Sequence, residues 1–251
     1  MRSKKIIITG GATRIGAAIA ESLANYDTEI SIHYNKSKGA ALKLKDKLKK
    51  LGSQIHLLKA DLNNFKQTQK LLKSANKKMK GLDCLINNAS LFENDNLQNF
   101  SEKSFTKHIN INLKAPAILT KNFQKILKKS EGCIVNIIDQ RVEKLTPFFF
   151  SYTLSKSSLV TLTKTSAMKL APNIRVNAIS PGPTLKNFRQ SEKHFKKQWK
   201  SILLRKKVDL KSICDGVKFL IKNKNITGEV INIDSGQRLA WKTPDIINTK
   251  E

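Results

Sequence analysis

At 251 residues the chain is long enough to bury a full core, and its 39% apolar content argues for a globular protein. No apolar run reaches the about 18–20 residues needed to cross a bilayer, and IIIT, after the basic start, is too short for a secretory signal, so a soluble, cytoplasmic protein with no membrane partner is expected. The net charge of +28 comes mainly from lysines spread along stretches such as ALKLKDKLKKLG, which reads as solvated helix faces and no specific nucleic-acid partner, in a field that attracts anionic ligands.

Taken in chain order, short apolar runs alternate with helix-like segments. KKIIITG leads into a helix over roughly 14–25, EISIHYN into 37–51, SQIHLLKAD into 64–80 and LDCLINNA into 101–129. GCIVNIID is followed by a helix over 152–171, IRVNAISPG by one over 209–223, and GEVINIDSG closes the series. The runs are rich in Ile and Val and bounded by Gly, Asn or Asp, as buried parallel strands are. The repetition predicts an α/β fold, a doubly wound parallel sheet of seven strands with helices on both faces, in one domain spanning 1–251. The longest stretch without a strand is 181–228, and part of it, about 183–207, is expected to form a mobile lid. Cys84, Cys133 and Cys214 make no CxxC or metal spacing with the four histidines, so they read as core residues and no metal is expected.

The first strand runs into TGGATRIG, residues 9–16. Gly10 and Gly11 allow a tight turn, and Gly16 allows close packing of the first helical turn, whose free N–H groups and dipole can receive a pyrophosphate. At the end of the second strand an NAD site usually carries an acid for the adenosine ribose. HYNKS, residues 33–37, has none there; Asn35, Lys36 and Ser37 offer donors and a cation that suit a 2′-phosphate. Arg14 adds a second cation, so NADPH is expected over NADH.

Tyr152 and Lys156 are four apart in YTLSK and share a helix face. A free tyrosine titrates near ~10, and a neighbouring ammonium is expected to lower that value so that the phenol can exchange a proton. Asp139, delivered by the apolar run IVNII, brings a carboxylate.

Together TGGATRIG, ADL (60–62), NNAS (87–90), Asn112 in ININLKAP, YTLSK and SPG (180–182) resemble the short-chain dehydrogenase/reductase family over nearly the whole chain. The resemblance implies a Rossmann-type fold, a homotetramer or homodimer, and hydride transfer from a nicotinamide held beside Tyr152 and Lys156. It implies cofactor contacts from Gly10, Arg14, Ile15 and Gly16, from Tyr34, Asn35, Lys36 and Ser37, and from Asp61 and Leu62. Asn88, Ala89, Ser90, Pro181 and Gly182 complete that set, with Tyr152 and Lys156. Asn112 is implied to hold a helix kink and a water of the proton relay.

In the wider family the position thirteen before the tyrosine is usually serine; here it is Asp139. A carboxylate repels a carbonyl oxygen that must gain charge, but accepts from N–H groups of a nitrogen heterocycle or, once protonated, delivers a proton to ring nitrogen. Asp at this position, Arg14 in place of the middle glycine of TGxxxGxG, the HYNKS stretch and Phe92 after NNAS resemble the pteridine and dihydromonapterin reductases. That branch implies a pterin held by Arg14, Ser90, Phe92, Asp139 and Tyr152, and NADPH-dependent reduction of a dihydropterin C=N bond. Two alternatives stay open: a carbonyl or 3-oxoacyl thioester reductase of the same family, and a non-catalytic NADPH- or polyanion-binding protein. The segment 183–199 matches no specificity rule, and Trp241, in the tail 236–246, is open to either an interface or a surface role.

Overall fold

The run KKIII places Ile6 and Ile8 on one face of a strand and Ile7 on the other, and all three are fully buried. Such a strand needs cover on both faces. In the computed structural model, which describes residues 3–24 and 27–241, it lies inside a sheet of seven parallel strands. These are β1 (Lys4–Ile8), β2 (Thr28–Tyr34), β3 (Gln54–Lys59), β4 (Cys84–Asn87), β5 (Gly132–Ile137), β6 (Ile174–Pro181) and β7 (Val230–Ile233). Their order is β3-β2-β1-β4-β5-β6-β7, so the direction of winding reverses between β1 and β4.

One face of the sheet is covered by α1 (Arg14–Leu23), α2 (Lys38–Lys50) and α8 (Leu210–Lys222), whose Ile19, Leu44, Leu48, Ile213 and Val217 meet Ile6, Ile8, Ile30 and Val135. The other is covered by α3 (Phe65–Met79), α5 (Ala115–Leu127) and α6 (Phe150–Leu170), with Leu72, Leu119, Phe123 and Ala167 against Ile7, Leu85 and Val176. On α2 only Ala41, Leu44 and Leu48 are buried, at the spacing of one helix face, which turns its lysines to solvent. The three cysteines are free and buried, Cys84 and Cys133 as neighbours in register on β4 and β5. Among the described residues no helix is long and apolar enough to cross a membrane.

Two segments differ from the sequence-based expectation. The stretch read as one helix over 101–129 is α4 (Glu102–Ile109), a π-helical turn at Asn110–Lys114 and then α5. The segment expected as a lid contains a further helix, α7 (Glu192–Lys200), capped by the Ser191 hydroxyl, which accepts from His194 N at 3.1 Å. Its Phe195 is buried. Trp241 is half exposed, and residues 242–246 of the tail lie outside the described residues.

Candidate active site

Where the winding reverses, the carboxyl ends of the strands open onto a cleft of about 1170 Å³. A single drug-sized ligand typically needs about 300–1,000 Å³, so a dinucleotide and a second small molecule fit together.

One half is built on the turn after β1. Gly10 sits at φ +59, in the left-handed region, with no room for a side chain against Ala89. A Cβ on Gly16 would collide with the Gly10 carbonyl and come within 2.5 Å of Asn88 Nδ2. Asn88 Nδ2 donates to the carbonyls of Thr9 (2.9 Å) and Gly10 (3.0 Å), while Thr9 Oγ1 accepts from the backbone of Asn88 and Ala89. The NNA stretch thus acts as a brace for the turn. A second brace is His33: Gly10 N donates to its Nδ1 at 3.0 Å and its Nε2 donates to Ala60 O at 3.1 Å. Burial keeps this imidazole neutral, with a pKa lowered to about 4.

Thr13 precedes α1 without a side-chain cap, which leaves the first-turn N–H groups to an anion. Asn35, Lys36 and Ser37 are exposed at the end of β2, and Asp61, Leu62, Pro181 and Gly182 complete the lining with Ile15 and Ala89. This donor-rich, cationic rim fits the pyrophosphate and a phosphorylated adenosine of a dinucleotide. Tyr34 is the exception in the expected set. It does not line the cleft but packs against the core, because side chains alternate along β2 and His33 takes the inward position. Arg14 adopts φ +54, and its guanidinium donates to Lys186 O (3.0 Å) and Leu185 O (3.2 Å), tying the turn to the segment that follows β6.

The other half gathers Asp139, Tyr152 and Lys156. Asp139 follows β5, accepts from Arg141 N at 2.9 Å through Oδ1, and accepts from Tyr152 Oη at 2.9 Å through Oδ2. Lys156 is buried and donates to Ile137 O at 2.7 Å, and burial lowers its pKa to about 8. The expectation that Lys156 draws Tyr152 toward the phenolate is corrected here. Burial and then the Asp139 carboxylate push the phenol well above its ordinary value. The Lys156 ammonium, 5.8 Å from the ring centroid, does not offset them. Tyr152 is therefore held as a protonated donor aimed at Asp139.

Beneath this pair, Asn112 occupies the π-turn, fully buried and away from the cleft lining. Its Oδ1 accepts from Leu91 N (2.8 Å) and Ser90 Oγ (3.2 Å), and its Nδ2 donates to Leu91 O (3.0 Å) and Ser155 Oγ (2.9 Å). It therefore joins the NNAS loop to α6. Phe92 faces the cleft edge-on to Tyr152 at 4.6 Å, but one of its faces is stacked on Phe149 at 4.5 Å. Arg141 and Arg189 lie over the same two rings, and Arg189 Nη2 donates to Phe92 O at 2.8 Å. Thr9 and His33 stand inside TGGATRIG and HYNKS without a role that the sequence assigns, and Arg141, Phe149 and Arg189 lie outside every motif. The run FFF and the two arginines over its Phe149 ring carry no spacing that marks them. Among the described residues no cluster of potential metal ligands exists.

Residues 4–198 match the family of the short chain dehydrogenases. The chain belongs to that family. Within the family's fold it is similar to the FolM alternative dihydrofolate reductase 1 of Brucella suis, solved in complex with NADP. That match has 41% identity and a TM-score of 0.93, and covers 97% of this chain and 98% of the other. It is also 24% identical over 239 residues to a dihydromonapterin reductase of Enterobacter sp. (strain 638), covering 94% of this chain and 97% of the relative. The 3-oxoacyl-[acyl-carrier-protein] reductase FabG of Staphylococcus epidermidis is 26% identical over 240 residues, covering 93% of this chain and 98% of the relative.

Proposed function

We propose that the protein is an NADPH-dependent reductase of a dihydropterin, with Asp139, Tyr152, Lys156 and Asn112 as its working residues. The observation that carries this reading is the Tyr152–Asp139 hydrogen bond: the carboxylate stands where a carbonyl reductase needs a donor, and the phenol beside it is protonated. The similarity to proteins that reduce dihydrofolate and dihydromonapterin supports it, as does the NADP of the Brucella suis structure.

NADPH, when bound, would supply the hydride. Gly10, Arg14, Ile15, Gly16, Asn35, Lys36, Ser37, Asp61, Leu62, Asn88, Ala89, Pro181 and Gly182 hold the nucleotide, all of them along the cleft. Lys156, now bonded to Ile137 O, would hold the nicotinamide ribose. Tyr152 gives its proton to N5 as C6 is reduced, while Asp139 accepts from ring N–H groups and turns the heterocycle toward the phenol. Ser90, Phe92 and Arg14 border the substrate. Asn112 keeps Ser90 and the Tyr152 turn in register. The cytoplasm and a homo-oligomeric assembly belong to the same reading.

The rival, reduction of a 3-oxoacyl thioester, draws on the FabG relative, and Asp139 argues against it because it leaves the carbonyl oxygen without its donor. Loss of reduced-nicotinamide absorbance is to be followed with a dihydropterin, dihydrofolate and a 3-oxoacyl thioester, with NADH as control. Turnover restricted to pterins and NADPH is expected, falling about 10²–10⁴-fold in Tyr152→Phe and lost in Asp139→Ala. Thioester turnover with inert pterins, or full pterin activity in Asp139→Ser, overturns the proposal.

A further inference from the structure

We propose that Asp95 is a positioning residue for the proton donor: its buried carboxylate bolts the loop that carries Ser90 and Phe92 to the first turn of α6 and so sets where the Tyr152 hydroxyl stands relative to Asp139. The proposal rests on the proposed function only in taking Tyr152 as the proton donor.

Four helices begin with a conventional cap. Asn64, Ser101, Ser191 and Asp209 each accept from a backbone N–H two or three residues on, at the starts of α3, α4, α7 and α8. The helix that carries Tyr152 and Lys156 does not. It starts from Phe149, at φ +59 and with no side-chain cap. Its orphan donors are met instead from 56 residues earlier in the chain. Ser151 N donates to Asp95 Oδ1 at 3.1 Å, Ser151 Oγ donates to Asp95 Oδ2, and Phe150 N donates to Asp95 O at 3.3 Å. Asp95 is 6% exposed and Ser151 fully buried, so water does not compete for these bonds. An anion at this helix end also meets a favourable dipole.

Ser151 immediately precedes Tyr152, so displacement of this turn carries the phenol off Asp139 Oδ2. The same loop holds Phe92, stacked on Phe149 and edge-on to Tyr152. One carboxylate therefore fixes the ring that borders the substrate and the group that protonates it. Misplacement of a reacting group by about 1 Å costs on the order of 10²-fold in rate.

The test uses Asp95→Ala, Asp95→Asn and Ser151→Ala in the full chain. Steady-state kinetics are measured on whichever substrate the parent turns over. Tyr152 is titrated in parallel by NMR of ring-labelled tyrosine, its signal assigned by loss in Tyr152→Phe. Asp95→Ala is expected to lower kcat about 10–100-fold with KM for NADPH unchanged, and to move the Tyr152 titration down toward the ordinary tyrosine value as its bond to Asp139 loosens. Asp95→Asn, which keeps one acceptor, is expected to recover part of both. If Asp95→Ala does not fold, Ser151→Ala and Asp95→Asn give the same readouts in a smaller degree. Unchanged kcat with an unmoved Tyr152 titration in folded variants overturns the proposal and leaves Asp95 a helix cap. A parent that reduces no pterin sinks the substrate reading alone, since the titration still decides the role of Asp95.

Discussion

His33 shows how a single side chain can set a pH limit from beneath a binding site. It accepts from Gly10 N and donates to Ala60 O, a pattern open only to the neutral imidazole. Its pKa falls from 6.5 to about 4. Across that window the unfolded chain takes up a proton that the folded chain refuses, so stability falls as pH falls, by about 3 kcal/mol once both limits are passed. Chemical denaturation of the parent and His33→Gln at pH 7 and at lower pH isolates this contribution, because carboxylate titrations common to both cancel. The variant is expected to be less stable at pH 7, with the gap narrowing toward pH 4.5; a gap independent of pH would mean that the imidazole is not held neutral. Tyr152, Lys156 and Asp139 were legible in the sequence because helical spacing and strand ends are local patterns. His33 and Asp95 were not, since their partners lie 23 and 56 residues away.

At the scale of elements, the broken helix between α4 and α5 matters most. Periodicity read 101–129 as one helical stretch while the family resemblance implied a kink at Asn112, where the π-turn lies, and the Pro116 that follows the break sits harmlessly in the first turn of α5. The π-turn arises because Asn112 turns inward to four polar partners on the NNAS loop and α6, which a regular helix would leave unmet. Asn112→Ala is expected to cost about 2–4 kcal/mol, as Leu91 and Ser155 lose buried bonds, and to lower kcat by loosening Ser90 and Tyr152 together. Urea denaturation alongside turnover checks both; an equally stable, equally active variant would show the break to be incidental. Helix α7, inside the segment expected as a lid, escaped the same kind of reading. It is rich in charge and buries only Phe195, and the stretch before it is held by backbone contacts from Arg14, 172 residues away, and by Arg189 on Phe92 O.

For the whole molecule, the charge of +28 sets the field in which an anionic cofactor arrives. The lysines are dispersed over outward helix faces, so their joint effect is long-ranged and screened by salt, with a Debye length of about 30 Å at 0.01 M falling to about 8 Å at 0.15 M. KM for NADPH is therefore expected to rise several-fold over that range while kcat for the bound complex holds. Initial rates at fixed pH test it; a salt-independent KM would confine recognition to short-range contacts such as those proposed for Asn35, Lys36 and Ser37.

The alternation of apolar runs and amphipathic segments determined the doubly wound sheet without help from tertiary information, because each buried parallel strand must be apolar on both faces and each helix on one. The glycine turn, the missing acid at the end of β2 and the Tyr–Lys pair were equally local and equally legible. What only the tertiary structure decided is how these pieces meet: the phenol bonded to Asp139 and raised in pKa, Tyr34 turned into the core in favour of His33, Phe92 stacked on Phe149, and Asp95 capping the helix that carries Tyr152. Each depends on burial and on side chains brought together from separate strand ends. Desolvation and hydrogen bonding act through space, and spacing along the chain does not encode them.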